Sequence, residues 1–156
     1  MKKYERINDL FPYAQFATQE GSVLTEELAS YLAAQGLVSY DATGRAGNCF
    51  VETLPDAPDL AVAIYSIGGA PPSQRNAIAF PAVRLLVRGT RDPRSAQALA
   101  QTLLAALHGL RDVELTAGGT HLYQCVTQQS APAHQEMDAA HRHRYAVEFI
   151  LHTTWP

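Results

Sequence analysis

The stretch FPAVRLLVRGTRDPRSAQALAQTLLAALHG, residues 80–109, decides the fold. Its first third alternates. Ala82, Arg84, Leu86 and Arg88 fall on one side, and Val83, Leu85 and Val87 on the other, the period-two pattern of a half-buried strand. Gly89-Thr90-Arg91 breaks the run. Asp92 follows as a helix cap, because its carboxylate can accept the free N–H groups of a first turn. Pro93 suits the first helical position, where its missing N–H is no loss. Ala96, Leu99, Ala100, Leu103, Leu104 and Leu107 recur at helical spacing, His108 stands in the last turn, and Gly109 ends the helix. This strand, turn and helix carry no catalytic chemistry.

Toward the N-terminus, residues 48–54 and 60–67 read as two strands separated by the rigid turn Pro55-Asp56-Ala57-Pro58-Asp59. They are expected to pair as a hairpin. The second is nearly all apolar, as in a central strand covered on both faces. Gly68 to Asn76 reads as a loop by composition. Thr25-Glu26-Glu27-Leu28 opens an earlier helix, with Thr25 as its cap, Leu24, Leu28, Tyr31 and Leu32 as its stripe, and Gly36 as its stop. Residues 1–21 form an arm bearing Tyr4, Phe11, Tyr13 and Phe16, with Pro12 preventing a long helix. It lies either on its own domain or on a neighbouring subunit.

Toward the C-terminus, 112–116 and 120–127 read as a hairpin around Ala117-Gly118-Gly119, and 128–140 as a polar, turn-like stretch. Residues 142–155 form a long last strand, with Tyr145, Val147, Phe149, Leu151 and Trp155 on one face and Arg144, Glu148 and His152 on the other. Helices and strands do not alternate, so a doubly wound parallel sheet is not expected. The expected fold is α+β: a mixed, mainly antiparallel sheet of about six strands with two helices packed on one face. Residues 22–156 form one domain after the arm.

The chain has 156 residues, 47% hydrophobic and 17% charged, with a net charge of −3 from 12 basic and 15 acidic side chains. That balance supports a packed core and opposes a general nucleic-acid binder. Cys49 and Cys125 do not make a disulfide framework; they read as reduced, packed thiols, with a bridge between them left open. No apolar h-region follows Met1-Lys2-Lys3, and no run approaches the roughly 20 residues needed to span a bilayer. A soluble protein made in a cytoplasm is expected, with no membrane partner.

The strongest chemical cluster is His134, His141 and His143, with Glu136 and Asp138 between them. Three ligands converging on one point would suit zinc and a small metal-dependent hydrolase, but this spacing matches no compact zinc pattern. No Gly-x-Ser-x-Gly elbow exists, and Gly68-Gly69 and Gly118-Gly119 lack the residues of phosphate or dinucleotide loops. No cofactor is expected. His141-Arg142-His143-Arg144 and Arg84 with Arg88 are the basic groupings. With Arg75 in the 68–76 loop, Arg84, Arg88, Arg142 and Arg144 are the candidate contacts to other subunits or partners.

Two blocks stand out together. One is Thr53-Leu54-Pro55-Asp56-Ala57-Pro58-Asp59, followed by Ala61 to Tyr65 and by Gly68-Gly69-Ala70-Pro71-Pro72. The other is Phe80 to Gly89, with its helix ending Leu107-His108-Gly109-Leu110. With Leu28 to Leu32 at the start and Arg144 to Phe149 at the end, they resemble the phage minor capsid and tail-terminator family of long-tailed phages and prophages. The resemblance spans about residues 22–155; residues 1–20 and the His-rich 129–143 stretch exceed the family's usual pattern. It implies a virion protein without catalysis, made in the bacterial cytoplasm. Its copies would form a ring, usually of six subunits, capping the tail tube at the head–tail junction. The tail-tube protein and the head–tail connector would be its partners, with no specific nucleic acid. A head-closure or neck protein is the alternative within the same assembly. The loops 69–79 and 129–141 are expected to order on assembly.

Overall fold

The computed structural model describes residues 23–155, so the arm lies outside the described residues. The chain runs α1 (Leu24–Ala34), β1 (Cys49–Val51), β2 (Ala61–Ala70), β3 (Ile78–Arg88), α2 (Pro93–Leu107), β4 (Arg111–Glu114), β5 (His121–Val126), β6 (Ala133–Gln135) and β7 (Arg144–Thr154). The strands make one sheet in the order β1-β2-β3-β7-β5-β4, with β6 also paired to β7. β3 and β7 are its long antiparallel centre, in a register that sets Val83 opposite Phe149 and Arg84 opposite Glu148.

Alternation then sorts the side chains. Val62 and Ile64 of β2, Val83, Leu85 and Val87 of β3, and Val147, Phe149 and Leu151 of β7 enter a single buried cluster. Leu28, Ala29 and Leu32 of α1 and Ala96, Ala100, Leu103 and Leu107 of α2 complete it. Both helices therefore cover the same face of the sheet, and the α+β fold is as expected. Asp92 caps α2 through a 3.0 Å bond from the Arg94 N–H, with Pro93 next to it. The Arg94 side chain and N–H hold the Asp92 carboxyl down to about 2.

Several expectations are corrected. β1 and β2 do not form a hairpin; they run parallel, with Val51 opposite Ile64. The 52–60 connection doubles back, held by a buried arginine of β3 and another from the turn before β7. The Arg88 Nη2 donates to the Pro58 carbonyl at 2.7 Å, and the Arg142 Nη1 donates to the Asp56 carbonyl at 2.6 Å. Only Ala61–Ile64 of β2 is buried, since β1 stops at that level. Gly68 and Gly69 are not a loop but part of β2, where the register with β3 shifts. At Gly69 the backbone has φ +113, and a Cβ would stand 2.1 Å from the Phe80 carbonyl oxygen, so glycine is required there. The polar 128–140 stretch hides β6, paired to β7 from Ala133 to Gln135. Trp155 follows the end of β7 and is 48% exposed instead of packed. Cys49 and Cys125 are free and buried, four strand steps or roughly 19 Å apart. Burial pushes both thiols up to about 12.

Thr25 is not the cap of α1. The helix starts at Leu24, and its N-cap Val23 supplies no side-chain bond. Glu27 anchors this end instead. It is only 3% exposed, and its carboxylate accepts bonds from the Thr120 N–H at 2.8 Å, the Thr116 hydroxyl at 3.2 Å and the Thr120 hydroxyl. Gly119 allows this approach, because a Cβ there would lie 2.1 Å from the Glu27 Oε1. Glu27→Ala is expected to destabilise by about 1–3 kcal/mol, the penalty for leaving buried donors unpaired. Urea melts check this, and a midpoint equal to wild type would refute it.

Candidate assembly surface

With both helices on one face, the other face of the sheet carries no helix among the described residues. It is built from the even-numbered residues of β3 and β7. Arg84 and Glu148, directly opposite each other, form an ion pair at 2.6 Å in its middle. The pair is nearly half exposed, so solvent screens it and it adds little stability. A groove of about 530 Å³ borders this pair, floored by Ala82, Ala146 and Ile150 and walled by Ile67, Val126 and Ala133. Ile67 is 41% exposed.

β5 and β6 meet β7 at different heights, which leaves a gap in the ladder opposite Val147 to Phe149. The Gln129 side chain fills it. Its Oε1 accepts the Glu148 N–H at 2.7 Å, and its Nε2 donates to the Ala146 carbonyl at 3.2 Å.

At one end of the sheet, Arg142 joins two loops. Its Nε donates to the Asp138 Oδ2 at 2.7 Å, its Nη2 to the Asp56 Oδ1 at 2.7 Å and its Nη1 to the Asp59 Oδ1 at 3.1 Å. Burial works against the charge, but the bonds to Asp56, Asp138 and Asp59 outweigh it and raise the Arg142 pKa. Arg88 lies close by. Its pKa is lowered by burial first and by Arg142 second.

The five candidate contact arginines therefore divide. Arg88 and Arg142 are 3% and 8% exposed, and their guanidinium groups hold the 52–60 loop inside the subunit. Arg75 and Arg84 are at the surface; Arg144 is half-buried, its Nε donating to the Glu136 carbonyl. The sequence signal missed at Arg88 and Arg142 is the Pro-Asp-x-Pro-Asp turn, whose carbonyls and carboxylates are their partners. Both loops expected to order on assembly are already bonded within the subunit. Ser73 Oγ accepts the Arg75 and Asn76 N–H groups, and Asp138 Oδ1 accepts those of Ala140 and Arg142.

The histidine cluster also divides. His134 Nε2 and His143 Nδ1 share a hydrogen bond at 3.0 Å, His141 sits in a turn at φ 61, and Asp138 is taken by Arg142. Among the described residues, no group of three or more His, Cys, Asp and Glu side chains is placed to hold a metal ion. Among them, no helix is long and apolar enough to cross a membrane.

The model of the bacteriophage tail terminator protein family matches residues 31–155, most of the chain and nearly all of the sheet and helices just described. The chain belongs to that family. This tail terminator family member is a phage structural tail protein. Among solved structures, it is similar to a chain described as "Virion of native gene transfer agent (GTA) particle", with a TM-score of 0.56 and 18% identity. The match covers 84% of this chain and 94% of that one, a likeness of fold. No curated protein matches.

Proposed function

We propose that copies of this chain close into a ring, of six subunits, that caps the finished tail tube at the head–tail junction. The ring stops polymerisation of the tube protein and presents the surface on which the head connector docks. The observation that carries this reading is the family match over residues 31–155. The fold suits it. A closed ring needs a heterologous contact, two different patches of one subunit meeting across each interface. The helix layer and the helix-free sheet face are two such patches. Arg75, Arg84 and Arg144 are the contact arginines on this reading, while Arg88 and Arg142 shape the loop beside them.

The test is made on particles. With the gene removed from its phage or prophage, electron microscopy of the lysate should show tails of uncontrolled length, or tails not joined to heads, beside normal filled heads. Normal joined particles would overturn the proposal.

A further inference from the structure

We infer that the groove on the helix-free face receives the N-terminal segment, residues 4–16, of a neighbouring copy, latching each subunit of the ring to the next. This rests on the ring proposed above.

The groove has the chemistry of a peptide site. Ile67, Ala82, Val126, Ala133, Ala146 and Ile150 give it an apolar lining around the Arg84–Glu148 pair, and the amide of Gln128, also in the lining, can meet the N–H and C=O groups of an extended chain. The occupant follows from what the chain has to offer. Tyr4, Ile7, Leu10, Phe11, Tyr13 and Phe16 concentrate large apolar side chains before Val23. Within residues 4–16 the charged side chains are Glu5, Arg6 and Asp9, so apolar contact rather than net charge must hold this segment.

Length and starting point favour a neighbour over the segment's own groove. The 22 residues before Val23 can reach up to roughly 70 Å when extended. Val23, 56% exposed, caps the start of α1 on the helix side of the sheet, and the groove is on the other side. To fill its own groove the segment would have to round the sheet edge. In a head-to-tail contact, the helix side of one copy faces the sheet side of the next, and the segment leaves directly toward the neighbour's groove.

Mixed disulfide trapping in the full-length protein tests this. One chain carries Phe11→Cys and a second carries Ile67→Cys. They are mixed across a concentration series under mild oxidation and resolved on non-reducing gels. Cys49 and Cys125 are buried and compete little. A dimer-sized adduct is expected only when both variants are present, increasing with protein concentration. It should disappear when the Phe11→Cys chain is mixed with a Gln97→Cys chain, whose cysteine lies on the exposed side of α2. Absence of the mixed adduct would overturn the inference. So would a Phe11→Cys/Ile67→Cys double variant that closes only within single chains. Rings that assemble without the adduct would sink the latch alone; normal particles after gene removal would sink the ring itself.

Discussion

Replacing Arg142 with methionine should release two loops at once. The guanidinium is 8% exposed and joins the 52–60 connection to the turn before β7. Its three carboxylate partners are not equal. Asp56 is 98% exposed and Asp59 65%, so water screens both, whereas Asp138 is 19% exposed. The Asp138 bond and the Asp56 carbonyl bond are therefore the ones whose loss matters most. In Arg142→Met, amide exchange should rise across 52–60 and 136–143 while β3 stays protected, and the urea midpoint should fall. Arg142→Lys should restore only part, because an ammonium is a point charge without the planar fork. Unchanged exchange across 52–60 would contradict the anchoring role.

The same site sets a pH dependence. The Arg142 N–H, and then its guanidinium, hold the Asp138 carboxyl below its ordinary range against the opposing pull of desolvation. A depressed folded pKa means that the unfolded chain takes up the proton first. The contribution is complete above the unfolded value near 3.9 and is lost as pH falls through the folded one. Wild type should lose stability as pH drops below about 4, and Arg142→Met should lose less over that interval. Equal acid sensitivity in the two proteins would refute the assignment.

Leu103→Ala should cost about 2–5 kcal/mol, the range for truncating a fully buried leucine in a core that cannot collapse around the cavity. Leu103 is 0% exposed, on the inward stripe of α2 between Ala100 and Leu107. Its helix packs on the two longest strands, so the cavity would open at the middle of the only cluster the described residues share. Equilibrium denaturation measures the change. A melt superimposable on wild type would show that the stripe of α2 is wrongly placed.

Residues 80–109 were legible because every signal there is local. Alternation, the Asp92 cap, Pro93 and the apolar stripe all lie within the stretch that they organise, and β3 and α2 follow them. The family blocks sit in the same part of the chain and agree with the family match. What escaped the sequence depends on distant partners. The parallel pairing of β1 with β2 is held by arginines from β3 and from the turn before β7. Arg88 and Arg142 looked like surface charge because Asp56, Asp59 and Asp138 reach them only after folding. The true anchor of α1 was hidden likewise, since Glu27 finds its donors in the turn between β4 and β5.

Gln129 has a consequence for the subunit before assembly. Without its amide, the Glu148 N–H and the Ala146 carbonyl would face outward between β5 and β6, an unpaired stretch of a central strand. Such a stretch is a template on which another chain can add a strand, the usual start of sheet-to-sheet aggregation. The side chain closes that template without lengthening either neighbouring strand. One glutamine thus guards one of the two longest strands of the sheet, while the face around the Arg84–Glu148 pair stays exposed.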